Sequence, residues 1–358
     1  MPYNKQIRTN FGGANTGTPP YGNFFGYGNL GDVTYSSNTS LVNSASDSGI
    51  FESHYASLTV NSSVTLNLQN RSRAWIIYVQ GDCTINGSIT MSTGASAVAS
   101  QAVNIRRHGV NGYNSTSTLV EASSGTNYTC PAAGANGGAT YSGPSSPGAG
   151  NVGSAGTNGQ TGGGGGAAGG PGGASVMGTG GAGTAGTAYS GGSGGGGGGY
   201  TAPNGTNGTA AGANGGAGGN AGGNSSDASR ASGGGAGNPG GSGTQGGSGT
   251  GNNGGSGTGG NIVLIVGGNL TIGGSAIISA DGTAGGNAAA GGTATGGGGS
   301  GGGRVIILYA GTLSNSGTVR ANGGSGGVAT LATYMANGGA GGAGSVTSPT
   351  LISKALNR

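Results

Sequence analysis

Charge is nearly absent from this sequence. Only 7 acidic and 11 basic residues occur among 358, and charged residues make up 5% of the chain, against about 25% in ordinary globular domains. Disordered tails are usually rich in charge, so this composition departs from them. The net charge of +4 reflects scarcity rather than a basic surface. Arg71, Arg73, Arg106 and Arg107 form two small basic spots. Nucleic-acid binders carry a denser basic stripe, so no nucleic-acid partner is expected. No Lys lies between Lys5 and Lys354, which excludes a phosphate-cradling Gly-Lys-Ser/Thr loop from the body of the chain.

Other absences narrow the reading further. The 10 Pro residues fall in no sustained three-residue period, so a collagen helix is excluded. Cys83 and Cys130 are too few for a disulfide framework. They can pair, but two free thiols are the simpler expectation. With His54 and His108 they are too scattered for a zinc cluster, and no metal or cofactor is expected. Apolar runs such as Ile262–Val266 and Val305–Ala310 are far too short to span a bilayer. The opening MPYNKQIRTNFGGANTG has no apolar segment after its basic residues, so synthesis in a cytoplasm without an export signal is expected.

Catalytic patterns are equally thin. The seven carboxylates are Asp32, Asp47, Glu52, Asp82, Glu121, Asp227 and Asp281. Glu52 and Asp82 can meet in space, yet nothing in their spacing requires the pairing that glycoside hydrolysis uses. Gly178, Gly180 and Gly183 match GxGxxG, but no strand precedes them and no acidic residue follows at the distance dinucleotide binding needs. The sequence reads as a non-enzyme.

Glycine is what the chain has: 97 residues, against roughly 7% usage on average. Each Gly costs a helix about 1 kcal/mol relative to Ala, so almost no α-helix is expected. From Leu58 a strand pattern begins. LTVNSSVTLNL alternates apolar and polar positions as a half-buried strand does. One unit then recurs three times: AWIIYVQGDCTINGSITMSTG at 74–94, NIVLIVGGNLTIGGSAIISADG at 261–282 and RVIILYAGTLSNSGTVRANGG at 304–324. Each copy is about twenty-one residues long where the three align. Each has a strand-forming run, a short β segment, a Gly-containing turn and a second β segment. In the first copy the turn is Asn-Gly, a strong two-residue turn signal. Repeats that cannot bury a core alone imply stacking.

The organisation follows. Residues 1–57 are polar and turn-rich and read as an N-terminal docking segment, with Tyr21, Phe24, Phe25 and Tyr27 as attachment candidates in PPYGNFFGYGNLGD. A packed local loop is the other reading of that stretch. Residues 58–94 hold the first β rungs, 95–260 a Gly-rich insertion, 261–325 the returning rungs and 326–358 a Gly-rich C-terminal tail. The insertion can sit between stacked rungs only if it leaves and returns at one face. Loop closure tolerates this, because its entropy grows only logarithmically with length. The insertion is either a flexible linker or a bundle of polyglycine-II helices. Such a helix has three residues per turn and no internal hydrogen bonds. Its outward amide groups are satisfied by neighbours that only Gly lets come close. The expected fold is all-β: a short β-solenoid or sandwich with Gly-rich excursions packed as polyglycine-II helices. Core candidates are Ile76, Ile77, Val79, Ile85, Ile89, Ile262, Leu264, Val266, Leu270, Ile272, Ile306, Leu308 and Val319.

The phrases CTINGSITMSTG, NLTIGGSAIISADG and TLSNSGTVRANGGSGG resemble a pattern in glycine-rich phage and bacterial surface proteins. There a short β rung leads into a long Gly-rich loop. The similarity covers residues 31–92 and 259–325. The Gly-rich runs are also similar, in composition, to the tail-tip adhesins of T-even-type phages. Those adhesins pack polyglycine-II helices and contact the host receptor through the loops joining them. This chain departs from them by threading its Gly runs between β rungs.

The resemblance implies a phage virion protein, a receptor-binding adhesin of a tail fibre or tail tip. Its partners would be other virion proteins and a bacterial glycan or outer-membrane protein, with a homotrimer as one arrangement suited to a fibre. It further implies that residues punctuating the Gly runs carry recognition: Tyr141, Met177, Tyr189, Tyr200, Asn204, Asn207 and Arg230. Tyr and Arg are favoured at binding hot spots. Simple turn formation is the alternative for each. The other class is a structural virion protein, a capsid decoration or fibre component, followed by a bacterial surface matrix protein.

Overall fold

The computed structural model describes residues 24–43, 50–72, 74–92, 94, 257, 259–287, 296–328 and 337–352, with four two-residue strands between 177 and 250. The described residues are strand-rich and contain no helix. The chain runs in five circuits, each giving one side to each of three parallel sheets.

The first circuit holds β1 (Asp32–Tyr35), β2 (Thr39–Leu41) and β3 (Ile50–Tyr55). The second holds β4 (Ser57–Val60), β5 (Thr65–Leu68) and β6 (Ala74–Val79). The third opens with β7 (Cys83–Ile85) and β8 (Ser88–Thr90). Inside the insertion lie β9 (Met177–Gly178), β10 (Gly199–Tyr200), β11 (Gln245–Gly246) and β12 (Gly249–Thr250). The third circuit closes with β13 (Asn261–Val266). The fourth has β14 (Leu270–Ile272), β15 (Ile277–Ser279) and β16 (Arg304–Tyr309). The fifth has β17 (Leu313–Asn315), β18 (Thr318–Arg320), β19 (Ser345–Val346) and β20 (Thr350–Leu351). The first sheet is ordered β1-β4-β7-β14-β17 and the second β2-β5-β8-β15-β18. The third runs β3-β6-β13-β16, with β19 and β20 both on β16.

Register is constant along the first sheet. Val33, Leu58, Cys83, Leu270 and Leu313 form one column. Twenty-five positions separate Val33 from Leu58 and Leu58 from Cys83, which is the length of a bare circuit. The twenty-one-residue copies therefore span most of a circuit rather than all of it.

Burial explains the sequence pattern. The first two sheets turn one face inward and one outward, so their strands alternate, as in the iBiB burial of β4. β6 and β13 are buried along their whole length. They read as continuous apolar runs because the third sheet is covered on both faces. Its inward side chains, Trp75, Ile77, Val79, Ile262, Leu264 and Val266, join the central core. Its outward ones, Ile76, Tyr78, Val263, Ile265, Ile306 and Leu308, pack with Phe24, Phe25 and Ile352. Among the core candidates, Val319 is only partly buried, because it lies in the last circuit.

The stretch 1–57 holds more than polar turns, since β1 to β3 build a complete circuit within it. Its short, Ser- and Thr-rich strands lack the apolar run that marks the later copies. Asn86-Gly87 does not join a paired hairpin. The strands on either side enter different sheets, and each pairs in parallel with neighbouring circuits. The dipeptide turns a corner, where a Cβ on Gly87 would collide with the carbonyls of Asn61 and Val64.

Candidate functional site

The candidate site is the corner between the second and third sheets, where every Gly-rich excursion leaves and returns. The long insertion departs after Met91 and comes back at Gly260, whose amide donates to the Met91 carbonyl at 3.0 Å. The two later excursions connect β15 to β16 and β18 to β19. The insertion thus leaves and returns at one face, as stacking requires.

The described Gly-rich segments bond to one another with a period of three. Gly297, Ser300 and Gly303 donate to Gly286, Thr283 and Ala280, at 3.1, 2.9 and 2.7 Å. Gly338, Gly341 and Gly344 donate to Gly327, Gly324 and Ala321, at 2.9, 2.8 and 2.6 Å. These two pairings are antiparallel. Gly282 and Gly285 donate to Asn322 and Ser325, both at 2.8 Å, in a parallel pairing. Gly299 and Gly302 turn to another neighbour and donate to Gly339 and Gly342, at 2.8 and 3.0 Å. One segment therefore bonds different neighbours through residues in different phases of the period.

Only Gly allows such approach. A Cβ on Gly324 would fall on the Thr283 carbonyl, and one on Gly344 on the Gly303 carbonyl. The few larger residues act as fasteners. The Ser300 hydroxyl donates to Gly257 O at 2.7 Å, and the Thr283 hydroxyl reaches the same oxygen at 2.8 Å. Asn287 Oδ1 accepts from Val328 N at 2.8 Å. Asp281 accepts from Asn322 N at 2.7 Å through one oxygen and from Arg320 Nε at 2.8 Å through the other.

Side-chain oxygens also tie the other corners. Asp82 Oδ1 accepts from Asn269 N at 2.7 Å, and Asn269 Oδ1 accepts from Thr312 N at 2.9 Å. Asp32 Oδ1 accepts from the Ser57 hydroxyl at 2.7 Å. This column was missed at the sequence level. Its signal is the small-residue-plus-polar pair opening each circuit: Gly31-Asp32, Ala56-Ser57, Gly81-Asp82, Gly268-Asn269 and Gly311-Thr312.

Glu52 Oε2 lies 3.6 Å from His54 Nε2, while Asp82 serves its corner. The His54 ring stacks on Tyr78, centroids 4.6 Å apart. Cys83 is a free, buried thiol. Burial, aided by the neighbouring Asp82 carboxylate, pushes its pKa up to about 12, so it stays protonated and a poor nucleophile. Tyr35 and Tyr55 share a 3.0 Å hydrogen bond, and burial raises both pKa values.

Of the recognition candidates, Met177 and Tyr200 are brought together as register partners of the antiparallel pair β9 and β10. Tyr141, Tyr189, Asn204, Asn207 and Arg230 lie outside the described residues. Of the attachment candidates, Phe24 and Phe25 are buried on the third sheet, so their rings are engaged within the chain. Their place is the packed local loop that the sequence also allowed. Tyr27 is 42% exposed and leans on His54. Tyr21 lies outside the described residues. No protein-family model matches this chain, and neither a curated protein nor a solved structure matches it.

Proposed function

We propose that this protein is a receptor-binding adhesin of a phage tail fibre or tail tip. Its five parallel circuits form a β-solenoid scaffold, and its Gly-rich excursions pack as polyglycine-II helices against one corner of it. The three-residue hydrogen-bond period among segments 280–286, 297–303, 321–327 and 338–344 is the observation that carries this reading. A helix with three residues per turn presents its amides in three directions, and neighbours satisfy them. The ordering of Gly is entropically costly. Sheets on both sides of the corner offset that cost by fixing both ends of each excursion. The loops joining such helices are then held on a rigid base and recognise a bacterial surface glycan or outer-membrane protein. Met177 and Tyr200 are the first positions to alter, because their strands pair.

The test is binding of the labelled full chain to a panel of intact bacterial strains. Strain-specific, saturable binding, weakened by Met177→Ala or Tyr200→Ala in a protein that remains folded, supports the adhesin. No binding by the folded protein across a panel including its host overturns it. That outcome favours a structural virion component, such as a capsid decoration or fibre segment.

A further inference from the structure

The two ends of the coil are built to meet each other. Among the described residues, nothing pairs with the outer edges of β1 and β2 at one end or of β17 and β18 at the other. The core is also less covered there. Leu270 and Ile278 are fully buried, whereas Leu313 and Val319, one circuit later in the same columns, are only partly so. Val33 is likewise partly exposed where Leu58 is not. Among the described residues, the exposed large apolar ones are Tyr27, Val42, Val328, Val346 and Leu351. Tyr27 lies just before the first circuit, the others belong to the first or last, and none belongs to the middle three.

We propose that copies of this chain join head to tail, with β17 and β18 of one copy pairing in parallel with β1 and β2 of the next. The proposal does not depend on the receptor-binding reading. Continuing the register places Val33 of the next copy on Leu313, Thr39 on Val319 and Leu41 on Ala321. The hydrogen-bonding phase fits. Ser316 N donates to Ile272 O and Leu270 N to Thr312 O, so the groups of Leu313 and Asn315 face outward. At the other end Ala56 N donates to Gly31 O and Asn61 N to Tyr35 O, so those of Asp32 and Thr34 face outward. Opposing a residue that faces the junction with one that faces away is the alternation a parallel ladder requires. The corner column also continues, with the Thr312 hydroxyl oxygen beneath the Asp32 amide. The third sheet does not take part. Pro349 separates β19 from β20, and proline blunts an edge. A heterologous contact of this kind does not close on itself and extends into a filament.

Sedimentation velocity of the full chain, over a range of protein concentrations, tests this. The weight-average sedimentation coefficient is expected to rise with protein concentration. Leu313→Lys blocks one end and Val33→Lys the other. Each variant alone is expected to stay monomeric, while an equimolar mixture gives a 1:1 dimer and nothing longer. That dimer also shows that both variants fold. Should Leu313→Lys fail to fold, Asn315→Pro removes an outward amide instead and is expected to block the same end. A monomer at every concentration overturns the proposal. So does a closed oligomer that neither end substitution changes.

Discussion

Asn269 Oδ1 accepts both the backbone amide and the side-chain hydroxyl of Thr312, each at 2.9 Å, from the next circuit of the coil. Asn269 N in turn donates to Asp82 of the preceding circuit. One residue, through its side chain on one side and its backbone amide on the other, thereby links three circuits at a corner where the strands themselves have ended. Asn269→Ala is expected to destabilise the fold by about 1 kcal/mol, the usual net worth of such bonds. Asn269→Asp, which keeps the acceptor, is expected to lose less. Urea unfolding with an unchanged m-value distinguishes the two.

Close packing of Gly segments predicts a sharp contrast between two glycines. Gly324→Ala places a methyl group on the Thr283 carbonyl, and overpacking of this kind costs about 1–3 kcal/mol. Gly274 has open space around its missing Cβ. Gly274→Ala is expected to be neutral or to stabilise by a few tenths of a kcal/mol, because Ala narrows the unfolded ensemble. Thermal melts of the two variants beside the parent protein check this.

Ser63 sits at φ 63° in the corner between β4 and β5 and is exposed. A side chain in the left-handed region costs roughly 1–2 kcal/mol. Ser63→Gly removes that strain but frees the unfolded chain, so a net gain of about 0.5 kcal/mol is expected. Ser63→Val is expected to destabilise, because a branched Cβ worsens the same clash. Opposite shifts in Tm are the readout.

Stability is expected to fall at alkaline pH. Burial raises the pKa values of Cys83, Tyr55 and Tyr35 in the fold. The folded state therefore holds these protons more tightly than the unfolded chain. The resulting stabilisation is fully present below the ordinary thiol and phenol values, about 8.5 and 10. It is lost as pH climbs from there through the raised values. Urea midpoints should stay level from pH 7 to 8 and decline above about pH 9. Tyr55→Phe should make that decline shallower. In a Cys130→Ser background, Cys83 should react with a thiol reagent only on unfolding.

The apolar runs at 74–79, 261–266 and 304–309 were legible without a structure, and they do stack as β6, β13 and β16. Their continuous hydrophobicity follows from burial on both faces, a property that local composition records directly. The return of the insertion to its point of departure was legible too, since stacked repeats leave no other route. The first circuit was not. DVTY, TSL and IFESHY are short and polar. They become strands because β4, β5 and β6 present open edges to them, which is information held by distant residues.

Periodicity and glycine content by themselves determined the all-β character seen in the described residues, with its repeated strand-forming units. Tertiary structure alone decided that Asn86-Gly87 turns between sheets rather than closing a hairpin, and that Phe24 and Phe25 cover the third sheet. It also decided which Gly amide bonds which carbonyl. The reason is physical. Strand propensity and side-chain burial are written in neighbouring residues, whereas these parallel sheets pair residues at least 23 positions apart. A backbone amide carries no side-chain label to announce its partner.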